Sequence, residues 1–139
     1  MDTFEILSQL CSAAGVSGAE GSAAETAAKL LEEYGEVTLD NALGSVICKV
    51  GSWEDGKPVM LLDAHIDEIG MIVTYITEDG FLKISGCGGL DTRLLLAQQV
   101  TVYGKEKLTG IVTSTPPHLE KDSSDAPDLD SCLLYTSPS

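Results

Sequence analysis

The chain has 139 residues, of which 22 are acidic and 8 are Lys or Arg, so its formal net charge is −14. A surface this acidic repels nucleic-acid phosphates and anionic lipid headgroups, which argues against both as partners. Hydrophobic residues make up 43% of the chain, an ordinary share for a globular protein, and the length suffices for one domain of average size.

Neither a disulfide framework nor a targeting segment is indicated. The cysteines form no C-x-x-C pair, and two of them lie in apolar runs, so reduced and buried thiols are predicted. The first residues include Asp2 and Glu5 and lack the basic and apolar regions of a signal peptide. No apolar run approaches the roughly 18 residues that a membrane helix requires. A cytoplasmic protein that does not bind membranes is therefore predicted.

Two helices are predicted at the start of the chain. Apolar residues recur at spacings of three and four over the first fourteen residues, and Gly15 ends this helix. Ser17 and Glu20 then have the spacing of a capping box, in which the Ser17 hydroxyl accepts an early backbone N–H of the second helix. An alanine-rich apolar stripe continues that helix as far as Gly35. These segments predict a helical scaffold.

Strand-type sequence begins after Gly35. Two short runs, 37–39 and 45–50, are followed by a third run, 58–62, that is apolar on both of its alternating faces. Such a pattern is typical of a central strand covered on both faces. Two helices followed by a strand of this kind predict a layered α/β domain.

From Gly70 onward, short strands and glycine turns replace helix. Two pairs of β-type runs each flank a tight turn, and the first turn, Asp79-Gly80, is a strong hairpin signal. This pattern predicts a small β-barrel or sandwich, with a domain boundary near Gly70. The paired runs are 71–75 with 81–84 and 100–103 with 109–112.

The candidate site is the acidic segment directly after the apolar run 58–62. If the strand continues, its alternation puts Asp63, His65 and Asp67 on one face. A neutral imidazole is a good ligand for zinc or a similar cation, and a carboxylate two residues away can accept the other ring N–H and fix the tautomer. A polar cluster without metal at a strand end fits the same residues, because short H-x-D patterns are common.

Other polar residues are weaker candidates. His118 follows two prolines and is predicted to shape a loop, and Arg93 is predicted to form a structural ion pair beside Asp91. Cys87 has no assignable base, and the glycines around it lack the Lys-Ser/Thr of a phosphate-binding loop. No serine lies in a G-x-S-x-G elbow, so a serine hydrolase is not indicated.

The string AHIDEIGMIV, residues 64–73, resembles the A-H-x-D-E-I-G motif of the glutamyl aminopeptidase family, which includes the tetrahedral and deblocking aminopeptidases. The likeness extends, in order, to VSGAEG, DNALGSVICKVG, GGLDTRLLLAQQVTVYG and PPHL, and covers nearly everything from Thr3 to about Asp130. The resemblance implies a metal-dependent aminopeptidase that removes N-terminal residues from peptides and uses two divalent ions, zinc or cobalt. His65 matches the family's first metal ligand, and Asp67 matches the acid that orients it.

The resemblance also implies the architecture and the assembly. The fold would be α/β, with part of a three-layer α/β/α metallopeptidase domain in residues 1–69, interrupted by an inserted, incomplete β-barrel assembly domain in residues 70–130. The complete enzyme would be a homo-oligomer, a dodecamer built from dimers. Residues 131–139 leave the family pattern where a further barrel strand is expected, and we interpret them as a non-native tail.

The family's remaining metal ligands and its glutamate base lie downstream of the barrel. Glu68 is therefore not assigned as the general base, and the isolated chain is expected to be inactive. Two alternatives stay open. A related cocatalytic metal-dependent deacylase would differ in the residues that select a free amino terminus, and a non-catalytic assembly or binding module would oligomerise without metal.

Overall fold

A computed structural model describes residues 2–40, 42–113 and 133–136. The chain divides into two compact units, Met1–Glu68 and Ile69–Ser139. The described part of the first unit has two helices and a two-stranded sheet, so it is an α/β unit, and the second contains a five-stranded antiparallel sheet. No helix in the described ranges is long and apolar enough to cross a membrane.

Helix α1 (Thr3–Ser12) confirms the first predicted helix. Its start is fixed by a capping box formed by Asp2 and Glu5, which was not predicted from the sequence. The Asp2 carboxylate accepts the backbone N–H of Phe4 at 3.4 Å, and Glu5 accepts the backbone N–H of Asp2 at 3.3 Å. These two bonds satisfy N–H groups that have no partner inside the helix.

Helix α2 (Gly21–Leu31) confirms the second predicted helix, but the capping box predicted at its start is wrong. Glu20 is the N-cap and makes no side-chain cap bond; its carboxylate accepts the backbone N–H of Gly18 at 2.5 Å instead. The Ser17 hydroxyl instead donates to the carboxylate of Asp67. A hydrogen bond to an ionised group is stronger than one between two neutral groups at a helix cap. The buried residues of α2 are Ala23, Ala24, Ala28 and Leu30.

Strands β1 (Glu36–Leu39) and β2 (Val46–Lys49) form an antiparallel pair in which Glu36 lies opposite Lys49. The strand predicted at 58–62 is absent from the described structure. Its apolar side chains are exposed, Leu61 by 85% and Leu62 by 88%. A central strand requires ladder partners on both sides, and no described segment pairs with this run.

The second unit confirms both predicted hairpins. Its strand order is β3-β4-β7-β6-β5, and all the pairings are antiparallel. Leu82, Ile84, Leu95, Val112 and Leu134 form the buried core of this sheet. The strands are β3 (Gly70–Ile76), β4 (Leu82–Cys87), β5 (Gln99–Tyr103), β6 (Lys107–Thr113) and β7 (Leu133–Thr136).

Strand β7 lies within the segment that we interpret as a non-native tail. It pairs with β4 and β6, and Leu134 is only 2% exposed. A strand is expected at this position from the family pattern, and the short apolar run here has the β-type composition to pair with both open neighbours. These four residues therefore join the two hairpins into one sheet.

Three cysteines are described, and all three are free thiols. Cys48 and Cys87 are half-buried, but Cys11 is exposed on α1, so the prediction of buried thiols is wrong for that residue. The physical reason is that part of the apolar stripe of α1 is itself uncovered, with Phe4 75% and Leu7 55% exposed. Cys132 lies outside the described residues.

The predicted ion pair of Arg93 with Asp91 is confirmed. The guanidinium donates to both oxygens of the carboxylate, Nε to Oδ1 at 2.8 Å and Nη2 to Oδ2 at 2.6 Å. Asp91 also accepts the backbone N–H of Arg93 and so caps the 3₁₀ turn at Thr92–Leu94. These contacts, led by the Arg93 side chain, lower the pKa of Asp91 below its ordinary 3.8.

Asp91→Asn should make stability depend less on pH. Because the folded pKa of Asp91 is depressed, its stabilising contribution is complete above the ordinary value of 3.8 and is lost as pH falls through the folded pKa. Urea unfolding should therefore show the unmodified chain more stable than the variant at neutral pH. The difference in unfolding free energy between the two should vanish in acid, and a difference that stays constant with pH would contradict this prediction.

Ala97 is the described non-glycine residue with positive φ, at 61°. This left-handed conformation costs an alanine about 1–2 kcal/mol, of which glycine would recover part after its own entropic cost. Ala97 is exposed, so Ala97→Gly removes no buried contact. We expect the variant to be more stable by about 0.5–1 kcal/mol. A lower urea midpoint in circular dichroism would show that the turn is not strained.

Candidate metal-ligand site

The segment after residue 62 brings His65 and Asp67 into direct contact. His65 Nδ1 lies 3.1 Å from Asp67 Oδ1 and 3.1 Å from the carbonyl oxygen of Asp67. An ionised carboxylate and a backbone carbonyl can only accept hydrogen bonds, so Nδ1 must carry the ring proton. The neutral imidazole then has its lone pair on Nε2, so it can bind a metal ion through that nitrogen.

Asp67 is held from its other side by Ser17. The Ser17 hydroxyl donates to Asp67 Oδ2 at 2.5 Å, and this contact joins residues fifty positions apart in the chain. That hydrogen bond is the main cause that lowers the pKa of Asp67; partial burial opposes it, and the nearby His65 adds to it. Asp67 therefore stays ionised well into mild acid and remains an acceptor for His65.

The segment is also fixed through its backbone. The Glu68 N–H donates to the Gly15 carbonyl at 2.8 Å, and the Glu68 carboxylate accepts the Gly15 N–H at 3.2 Å. Val16 and Glu68 form an isolated parallel bridge. These contacts give Glu68 a structural role at the loop between α1 and α2, in keeping with its not being assigned as a base.

The side chain of His65 is more exposed than that of Asp67. The His65 side chain is 87% exposed, and that of Asp67 is 41% exposed. Both residues line an open groove of the first unit, so Nε2 is accessible to a ligand. The apolar residues of this groove include Leu10, Leu31, Leu43 and Leu62.

The described residues supply one candidate ligand for a metal ion, the imidazole of His65. Among them, no three His, Cys, Asp or Glu side chains are grouped so as to hold an ion. The arrangement of Asp63 with His65 and Asp67 on one face required a strand, and residues 63–67 form no strand here. Asp63 lines the same groove. His118 lies outside the described residues.

Ser17 is the site residue that the sequence interpretation missed. Its position before Gly18 and Glu20 suggested a helix cap, because that local pattern is common at helix starts. The one available signal was its place in the string VSGAEG, which is similar to the sequences of the family at this position. A contact across fifty residues leaves no local spacing from which it could be inferred.

Comparison with known proteins gives consistent matches. The M42 glutamyl aminopeptidase family profile matches residues 44–134. A putative aminopeptidase, FrvX, of Escherichia coli K12 is 35% identical over 118 residues, which cover 83% of this chain and 32% of that protein. The lysyl aminopeptidase of Pyrococcus furiosus is 28% identical over 127 residues, which cover 90% and 36% respectively.

The structural comparison agrees. A solved structure of the TET1 peptidase of Pyrococcus horikoshii, described as assembling into a tetrahedron or a large octahedral shell, is similar with a TM-score of 0.80 and 30% identity. The match covers 96% of this chain and 40% of that one. This chain therefore spans about a third of the length of the curated relatives it matches.

Proposed function

The chain belongs to the M42 glutamyl aminopeptidase family, and we propose from this premise that it forms the N-terminal part of a metal-dependent aminopeptidase that removes N-terminal residues from peptides. The observation that carries the proposal is the contact between His65 Nδ1 and Asp67 at 3.1 Å. It leaves Nε2 as an accessible ligand atom at the position of the family motif. The names of the relatives, lysyl aminopeptidase among them, support the reaction class.

In this proposal His65 is a metal ligand, and Asp67 orients it and raises its basicity. Two divalent ions, zinc or cobalt, would supply Lewis acidity and a nucleophilic water at neutral pH when bound. A cocatalytic site needs several protein ligands, and the described residues contribute one. We therefore expect the chain by itself to show no peptidase activity.

The finer architecture belongs to the same proposal. Residues 1–69 would be part of a three-layer α/β/α metallopeptidase domain, residues 70–130 an inserted, incomplete β-barrel assembly domain, and residues 131–139 a non-native tail. The complete enzyme would be cytoplasmic. It would also be homo-oligomeric, an expectation that the shells of the Pyrococcus horikoshii neighbour support. The exposed apolar run 58–62 supports a layered parent domain, because a run of this kind is normally covered on both faces.

A chimera tests the function directly. Residues 2–113 would replace the matching segment of the Pyrococcus furiosus lysyl aminopeptidase, and release of lysine from a lysyl peptide would be measured with and without a chelator. We expect activity that the chelator removes and that added zinc or cobalt restores. A chimera that has native circular dichroism and the oligomer size of its parent but no activity would instead favour a non-catalytic assembly module.

A further inference from the structure

The loop between α1 and α2 places a hydroxyl on the candidate metal-ligand site. Ser17 Oγ donates to Asp67 Oδ2 at 2.5 Å, a length typical of a hydroxyl that donates to an ionised carboxylate. Glu20, three residues later, is the N-cap of α2 and makes no side-chain cap bond. The hydroxyl of Ser17 is therefore committed to Asp67 and does not serve the helix.

The loop itself is anchored, so the position of Ser17 does not depend on the bond it makes. On one side, the backbone of Gly15 exchanges hydrogen bonds with the backbone and carboxylate of Glu68. On the other side, Gly18 N–H donates to the Glu20 carboxylate at 2.5 Å. Ser17 lies between these fixed points, in a segment held against the residue that follows Asp67.

Both oxygens of Asp67 are thereby used, Oδ2 by Ser17 and Oδ1 by His65. The terminal torsion of an aspartate is broad, so a carboxylate held at one oxygen can rotate away from its second partner. The other acceptor near His65 Nδ1 is the backbone carbonyl of Asp67, at 3.1 Å, which is neutral and therefore a weaker acceptor than the ionised carboxylate. The hydroxyl of Ser17 thus contacts the carboxylate that is the stronger of the two acceptors at His65 Nδ1.

We propose that Ser17 is a positioning residue, which through Asp67 holds His65 in the tautomer with the proton on Nδ1 and the lone pair on Nε2. The proposal deepens the proposed function, because this tautomer presents Nε2 to a metal ion, and its role in catalysis rests on that function. The tautomer itself can be observed without metal or substrate.

The test is a two-bond ¹H–¹⁵N correlation spectrum of the ¹⁵N-labelled chain with chelator and reductant, at a pH where the imidazole is neutral. His118→Gln identifies the signals of the remaining histidine. In the unmodified chain, Nδ1 of His65 should resonate as a protonated nitrogen and Nε2 as an unprotonated one. Ser17→Ala should shrink the difference between the two shifts, and Ser17→Thr, which keeps the hydroxyl, should retain it.

Ser22→Ala makes the same chemical change at an exposed serine of α2 and should leave the spectrum of His65 unaltered. Persistence of the Nδ1–H form in a folded Ser17→Ala chain would overturn the proposal. If that variant unfolds, Ser17→Cys, which nearly keeps the volume but is only a weak donor, takes its place with the same expected result. Averaged shifts in the unmodified chain would refute the arrangement by themselves. Failure of the proposal for Ser17 would leave the aminopeptidase assignment intact. An inactive chimera would count against that assignment but not against the role of Ser17 in setting the tautomer of His65.

Discussion

Replacement of His65 by alanine is expected to reduce lysine release by the chimera to the level of the buffer control, since it deletes the proposed ligand atom. Replacement of Asp67 by asparagine keeps the shape but removes the charge that faces Nδ1. Loss of such an orienting partner typically costs about 10–100-fold in activity or metal affinity. We therefore expect background activity for His65→Ala and intermediate activity for Asp67→Asn. The measurement is kcat/KM together with the metal bound per subunit.

Asp55→Asn is the matched control for the second variant. Asp55 lies in an exposed turn of the same unit, so the same change in charge occurs away from the groove. We expect its activity and metal content to equal those of the unmodified chimera. Full activity in His65→Ala with unchanged metal content would remove His65 from the site and leave the H-x-D contact as a structural cluster.

The elements that the sequence predicted well are those whose signals are local. Both hairpins of the second unit were predicted from alternating runs around tight turns, and their observed registers pair neighbouring segments. The contact of His65 with Asp67 followed from a spacing of two residues. In each case a few consecutive residues contain both interaction partners.

The elements that the sequence predicted badly depend on distant partners. Ser17 has a capping pattern nearby, but a carboxylate fifty residues away is the better acceptor for its hydroxyl. The run 58–62 has the composition of a central strand, yet a strand forms only where other strands satisfy its backbone groups. Leu134, in contrast, is buried because β4 and β6 lie on either side of it.

Close approach of Gly35 to β2 gives the largest expected effect on stability. A Cβ at this position would lie 2.1 Å from the carbonyl oxygen of Lys49 and 3.2 Å from Cys48 Sγ. The first contact is with backbone, which cannot move aside without breaking the β1–β2 register at Glu36 and Lys49. Gly35→Ala should therefore lower the free energy of unfolding of the first unit by at least about 3 kcal/mol, the upper part of the usual range for overpacking.

Gly21→Ala is the control, because an added Cβ there meets nothing within 4 Å. Gly21 is the first residue of α2, and alanine costs less conformational entropy in a helix, so this variant should be neutral or more stable by up to about 1 kcal/mol. The single tryptophan, Trp53, reports on the same unit, since Lys49 Nζ lies 5.5 Å from the centre of its ring. Relative to the unmodified chain, urea titrations followed by its fluorescence should give a lower midpoint for Gly35→Ala and an equal or higher midpoint for Gly21→Ala. Equal midpoints would mean that β1 and β2 can shift apart at little cost, and the close approach at Gly35 would then not be needed for the pairing.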